Sequence, residues 1–195
     1  DLTLSTGAID SHAVFRPETA QMRGGFRYLN LFLERAGTVV VSNVTLYFTP
    51  APEMTNPADY KNHFHSSDAL LNDIWYGCAY TTQMCTIASD QGRQWPAPPS
   101  GWNNGVLVGQ GGSVLVDGAK RDRTIWPGDM GVSVATALAT TGDVNASRNS
   151  LATLFEHQDP ESGMVPYAGP PIFCQEPEGQ SCGSTKGRYN SDTYH

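Results

Sequence analysis

Charged side chains are concentrated in one short part of the chain, residues 117–129, which we call the 117–129 segment. It reads Asp-Gly-Ala-Lys-Arg-Asp-Arg-Thr-Ile-Trp-Pro-Gly-Asp, with three carboxylates, two arginines, a lysine and a tryptophan. Clustered carboxylates of this kind are candidates for exchanging protons with a ligand or for binding it. Asp129 follows Pro127 and Gly128, in or just before the first turn of a predicted helix, whose dipole favours a negative charge there.

The same segment also fits a plain surface loop. In that interpretation Lys120, Arg121 and Arg123 form solvated ion pairs with the aspartates, and such pairs contribute little to stability. Asp129 would then be an ordinary helix cap, and Trp126 an anchor in the core. The residue types alone leave both interpretations open.

The chain around this segment divides into a strand-like part and a helical part. Between Gly25 and Pro50, β-branched and aromatic runs alternate with turn residues, which predicts antiparallel strands. These are too few for a closed sandwich. The residues 49–57 contain three prolines, which disfavour both helix and sheet and predict a domain boundary.

Three helices are predicted after this boundary. The first runs from about Asp68 to Ile87, because Asp68 can cap it and apolar residues recur at helical spacing; these are Leu70, Leu71, Ile74, Trp75 and Cys78. Residues 89–112 predict a loop with room for a short hairpin. A second helix contains Met130–Ala139 and ends at Gly142, and a third begins near Asn145 or Ser147 and stops before Pro160. Strands followed by helices predict an α+β chain with two unlike domains.

Composition excludes several classes of protein. The chain has 39% hydrophobic and 16% charged residues and a net charge of -7, which excludes a disordered tail and argues against nucleic acid as a partner. It has no apolar run of about 18 residues, so we expect no membrane-spanning helix. CxxC and HExxH motifs are absent, and His63, His65, His157 and His195 lack ligand spacing. We therefore expect no metal site.

Cysteines and glycosylation motifs favour a secreted, extracellular protein. Cys174 and Cys182 bracket a loop that a disulfide could close, so we expect a bridge there. Cys78 and Cys85 are about two turns apart in the first predicted helix, too far for a bridge, and are expected to be buried thiols. The motifs at Asn43 and Asn145 predict glycan acceptors in a secretory pathway.

The 117–129 segment resembles the signature of glycoside hydrolase family 78, the α-L-rhamnosidases, commonly Asp-x-Pro-x-Arg-Asp/Glu-Arg-x-x-Trp-x-Gly-Asp. Residues 25–28 are similar to the last sandwich domain of that family, and residues 67–75 to the first helix of its barrel. The resemblance extends from about Gly24 onward. It implies an α+β multidomain fold: residues 1–50 as the C-terminal strands of an antiparallel β-sandwich, 51–62 as a linker, and 63–195 as the N-terminal part of an (α/α)6-barrel.

The resemblance also implies a function and a set of site residues. The family consists of inverting glycosidases that release terminal α-L-rhamnose from glycosides or polysaccharides, and no metal or organic cofactor is implied. By position, Asp122 would be the general acid, and Asp117 and Asp129 would bind hydroxyls of the sugar. Arg121, the arginine expected nearer the site than Arg123, and Trp126 would complete substrate binding. The chain has Asp122 where many members have Glu, and Ala119 where they have Pro.

Inversion also needs a general base. In the family this base is a Glu from a much later helix, and none of Glu156, Glu161, Glu176 and Glu178 matches it. Trp95, Trp102 and Tyr167 could line a sugar site or fill loops. We therefore expect that further segments of the same polypeptide complete the barrel, and that these 195 residues alone are inactive. The alternatives are a non-catalytic carbohydrate-binding module and a related six-hairpin glycosidase specific for another sugar.

Overall fold

The structure is a computed structural model that describes residues 3–9, 11–22, 26–94, 103–119, 121–158, 160, 163, 165–166 and 168–170. This part of the chain has a mixed α+β fold with three α-helices and two small antiparallel sheets. After a short 3-10 helix at Thr19–Gln21, the elements in chain order are α1 Ala69–Met84, β1 Thr86–Ala88, β2 Gly92–Arg93, β3 Asn104–Val106, β4 Ser113–Leu115, α2 Pro127–Ala139 and α3 Val144–Glu156.

Helix α1 begins as predicted but buries a different face. The Asp68 side chain accepts a hydrogen bond from Leu70 N at 2.9 Å and caps the helix. The helix ends at Met84, before the predicted Ile87, because β1 begins at Thr86. Its buried residues are Ala79, Thr82 and Gln83.

The predicted apolar face of α1 is largely exposed, and that prediction was wrong. Leu70, Leu71 and Ile74 are exposed, and so is Cys78, whereas Cys85 is a buried free thiol as expected. The physical reason lies at the other end of the helix. Gln83 accepts a hydrogen bond from Tyr60 Oη at 3.1 Å and donates one to Pro57 O at 2.8 Å, so the predicted linker covers the C-terminal half of α1.

Strand β4 lies between β1 and α3. β1 and β4 pair antiparallel, with Ile87 opposite Val114. On the α3 side, Ser150 Oγ accepts from Leu115 N at 2.8 Å and donates to Leu115 O at 3.2 Å. The helix side chain thereby satisfies the backbone groups that a neighbouring strand would otherwise bind.

The other two predicted helices and the short hairpin are confirmed. Pro127 occupies the first position of α2, where its missing N–H costs no helical hydrogen bond. Asp143 caps α3 by accepting from Asn145 N and Ala146 N, at 3.0 and 3.2 Å. β2 and β3 pair antiparallel within the region predicted as a loop with a hairpin.

The larger of two hydrophobic clusters among the described residues forms the core that holds these elements together. Its members come from β1, β4, α2, α3 and the loops between them, and they are Ile87, Val108, Val114, Val116, Ile125, Met130 and Leu154. Three of them flank the 117–129 segment or lie in it: Val116 directly precedes Asp117, Ile125 is completely buried within the segment, and Met130 directly follows Asp129. The core therefore fixes both ends of the loop.

The strands predicted between Gly25 and Pro50 are not formed in the described residues. Residues 26–50 form no strand, and their apolar side chains are exposed, with Val40 88% and Tyr47 81% accessible. β propensity reflects packing on a pleated, half-buried surface, and an isolated strand gains none of it. No segment within the described ranges pairs with residues 26–50. The sandwich therefore remains a proposal.

Within the described residues, no helix is both long enough and apolar enough to span a bilayer.

Candidate functional site

Strand β4 and helix α2 hold the two ends of the 117–129 segment. Beyond β4, Val116 N donates to Cys85 O at 2.8 Å, and the segment then folds back on itself. Asp117 N donates to Thr124 O at 3.1 Å, and Thr124 N donates to Asp117 Oδ1 at 3.2 Å. These two bonds close a loop whose tip contains Arg121 and Asp122.

The base of this loop is anchored by a distant part of the chain. Thr124 Oγ1 donates to Gly169 O at 3.2 Å, and Gly169 N donates to Ile125 O at 2.7 Å. A Cβ on Gly169 would lie 2.9 Å from Ile125 Cβ, so only glycine fits there without a shift. Nothing in the sequence indicated that Gly169 supports the segment.

Arg121 connects two of the three carboxylates. Its Nε lies 2.7 Å from Asp117 Oδ2, and its Nη2 lies 2.6 Å from Asp129 Oδ1. The Arg121 side chain is 63% exposed, whereas that of Asp117 is completely buried. Arg121 is therefore the arginine of the segment that forms ion pairs with the carboxylates. The backbone of Arg121 is held by Arg93 of β2, whose Nη1 donates to Arg121 O at 3.2 Å.

Asp122 is bound differently from its two neighbours. Its Oδ2 accepts a hydrogen bond from Trp126 Nε1 at 3.1 Å. Among the described residues it forms no ion pair, in contrast to Asp117 and Asp129.

Arg123 points into the protein. Its side chain is buried, its Nη1 donates to Ala119 O at 2.9 Å, and its backbone has a φ of 54°. Burial lowers the pKa of Arg123, while the charge of Asp117 raises it. The side chain of Arg121 is thus largely exposed, whereas Arg123 is buried.

Burial also perturbs Asp117 and its surroundings. Desolvation raises the pKa of Asp117 above 3.8, against the opposing effect of the hydrogen bond from Thr124 N, and the nearby Asp122 raises it further. The pKa of the Cys85 thiol is raised mainly by its burial, and then by Asp117. The Asp117 charge is the main cause of the raised pKa of Arg121. Asp117 is thus the buried centre of the charge cluster.

We expect the stability of Asp117→Asn relative to the wild type to increase as the pH rises. Because the folded-state pKa of Asp117 exceeds 3.8, the folded state binds more protons above that pH than the unfolded chain does. The stabilisation that protonated Asp117 provides is complete below pH 3.8. It is lost as the pH rises through the pKa of Asp117 in the folded state. Urea unfolding of both proteins at several pH values measures the difference, and a difference that stays constant or shrinks would contradict the prediction.

The other residues considered in the sequence analysis lie outside the cluster or outside the described residues. Glu156 is exposed at the end of α3 and accepts from Gln110 Nε2. His63 and His65 are exposed, and His157 Nδ1 lies 2.8 Å from Thr153 O. Predictions for Trp95, Trp102, Glu161, Tyr167, Cys174, Glu176, Glu178, Cys182 and His195 fall outside the described residues. In the described ranges, no group of three or more His, Cys, Asp or Glu residues could hold a metal ion.

The two glycosylation motifs have different surroundings. Asn43 and Thr45 are exposed, and Asn43 adopts a left-handed φ of 52°. Asn145 lies in the first turn of α3, its Nδ2 donates to Glu53 Oε2 at 3.2 Å, and Ser147 of its motif is 6% exposed.

We therefore expect glycosylation at Asn43 and little or none at Asn145, which is exposed but has a hydrogen-bonded amide and a buried Ser147 hydroxyl in its motif. The protein would be secreted from yeast, and its mass compared before and after enzymatic deglycosylation. The mass shift should disappear in Asn43→Gln and persist in Asn145→Gln. The reverse pattern would show that the fold does not select between the two motifs.

Comparison of the chain with protein-family models and with curated proteins gives no match.

Proposed function

We propose that this chain belongs to an inverting glycoside hydrolase that releases terminal α-L-rhamnose from glycosides or polysaccharides. The observation that carries the proposal is the arrangement of the three carboxylates of the 117–129 segment. Arg121 holds Asp117 and Asp129 as a pair, and Asp122 is separate from that pair, bound to Trp126. Asp122 therefore differs in its contacts from Asp117 and Asp129. This fits a site in which one carboxyl group is the acid catalyst and the other two bind the sugar.

Asp122 is the general acid in this proposal. A general acid must carry its proton at the working pH, so contact with a cation works against it. The indole N–H of Trp126 fixes one oxygen of Asp122 without adding a formal charge. The carboxyl group can then donate its proton to the glycosidic oxygen as the bond to the aglycone breaks.

Asp117 and Asp129 bind sugar hydroxyls in this proposal. Carboxylates accept hydrogen bonds from hydroxyl groups, and charge assistance makes these bonds about twice as strong as neutral ones. Asp129 is the more accessible of the two, with 37% of its side chain exposed. Arg121 is mostly exposed and can release one carboxylate when a sugar binds.

The barrel and the secreted location are part of the same proposal. Exposed apolar side chains are found on all three helices, among them Leu71 on α1, Val132 on α2 and Phe155 on α3. Such side chains fit helices that pack against further helices of a larger barrel. The general base of the inverting reaction would come from outside the chain described here.

The test is hydrolysis of p-nitrophenyl α-L-rhamnoside by the intact protein, with the β-D-glucoside and β-D-glucuronide as controls. We expect p-nitrophenol from the rhamnoside alone. Proton NMR of the first product should show β-L-rhamnose, because water attacks the face opposite the leaving group in an inverting enzyme. Cleavage of a control sugar instead would point to a sister glycosidase, and binding of rhamnose without cleavage would point to a carbohydrate-binding module.

A further inference from the structure

Arg123 is buried, with 4% of its surface exposed, and it shares the interior of the segment with the buried carboxylate of Asp117. A buried cation is costly unless a negative charge or hydrogen-bond acceptors compensate it. Its Nη1 donates to Ala119 O at 2.9 Å. Its Nε has no hydrogen-bond partner among the described residues, and the nearby charge of Asp117 favours the charged form of the guanidinium, against the effect of burial on its pKa.

The backbone of Arg123 has an unusual conformation for its residue type. Its φ of 54° lies in the left-handed region, which residues with a Cβ rarely occupy and which recurs at functional sites. The residues on either side of Arg123 have different surroundings. Thr124 is completely buried and bonded to Asp117, whereas Asp122 is partly exposed and bonded to Trp126. The left-handed turn therefore separates the anchor of the loop from its candidate acid.

The two arginines of the segment compensate Asp117 in different ways. Arg121 approaches from the solvent side and is 63% exposed, so a sugar hydroxyl can displace it. Arg123 is buried and cannot be displaced by a ligand at the surface. When a substrate takes the place of Arg121, Arg123 is the cation that continues to balance the buried Asp117 carboxylate.

We infer that Arg123 is a positioning residue: its buried guanidinium balances Asp117 from the interior and holds the backbone turn that directs Asp122 toward the glycosidic oxygen. The inference rests on the proposed function, because Asp122 needs this direction only if it acts as the acid. Arg123 itself touches no substrate in this role.

A comparison of kcat between substrates with a good and a poor leaving group tests this role. Phenol is a poorer leaving group than p-nitrophenol and depends more on protonation by the acid. For the intact protein, kcat would be measured with phenyl and p-nitrophenyl α-L-rhamnosides in the wild type, Arg123→Met and Arg123→Lys. If Arg123 directs Asp122, Arg123→Met should lower kcat for the phenyl substrate at least about tenfold more than for the p-nitrophenyl one, within the range that general acids contribute. Arg123→Lys should recover part of that difference.

Leu154→Ala is the control for a merely structural effect. Leu154 is buried in the core on α3, and its truncation should lower stability without changing the ratio of the two kcat values. A ratio in Arg123→Met equal to that in Leu154→Ala would overturn the inference. If Arg123→Met does not fold, Arg123→Lys provides the test, because lysine keeps the charge but lacks the planar guanidinium. A ratio of the two kcat values in Arg123→Lys equal to that of the wild type would overturn the inference as well. A wild-type protein that cleaves neither rhamnoside refutes the proposed function, and this role with it.

Discussion

Asp122→Asn is expected to lower kcat for p-nitrophenyl α-L-rhamnoside by about 10²–10⁴-fold, the usual contribution of a general acid. The asparagine is nearly isosteric, and its Oδ1 can still accept the hydrogen bond from Trp126 Nε1 that Asp122 accepts at 3.1 Å. The variant should therefore fold normally and lose only the proton that the reaction needs. Initial rates of p-nitrophenol release by the intact protein at saturating substrate give the comparison.

Asp68→Asn is the matched control for this change. Asp68 is exposed at the N-terminus of α1, where it accepts from Leu70 N, and asparagine caps helices about as well as aspartate. The control should keep the wild-type kcat. An Asp122→Asn variant that also keeps it would remove Asp122 from the reaction and would favour the carbohydrate-binding alternative if rhamnose still binds.

Leu154→Ala is expected to lower the free energy of unfolding by about 2–5 kcal/mol, as for other large-to-small substitutions in a core. Leu154 is 1% exposed and packs in the core shared by β1, β4 and α2. Its truncation leaves a cavity that the neighbouring backbone can fill only in part, since Ser150 ties α3 to β4 at both polar groups of Leu115. Urea unfolding followed by circular dichroism measures the change.

Leu151→Ala provides the same substitution on the same helix at an exposed position. Leu151 is 46% exposed, so its truncation should cost less than about 1 kcal/mol. Equal losses in the two variants would mean that the exposed face of α3 is covered in the intact protein. That result would itself support the proposal that further helices pack against this part of the chain.

Much of the local structure could be predicted from the sequence because its causes are local. Asp68 and Asp143 bind backbone N–H groups two or three residues away, and Pro127 fixes the start of α2 through its own ring. The 117–129 segment brings its carboxylates together for the same reason. A short loop between a strand and a helix leaves its members little room to separate.

Other parts of the fold could not be predicted, because they depend on contacts between distant residues. The spacing of Leu70, Leu71 and Ile74 indicated an amphipathic helix, but the linker packs elsewhere on α1 and leaves that face exposed. The strand propensity of residues 26–50 gives no sheet among the described residues, since a strand is stabilised only by its neighbours.

For the candidate site, the sequence by itself determined which residues are present, and the tertiary structure decided what each one does. Residue order cannot show that Arg121 faces solvent while Arg123, whose backbone φ is left-handed, is buried. Nor can it show that Arg93 and Gly169 support the loop, since both are far from it in sequence. Helix caps and loop composition act over a few residues, whereas burial, ion pairing and the raised pKa of Asp117 arise only after the core has formed around them.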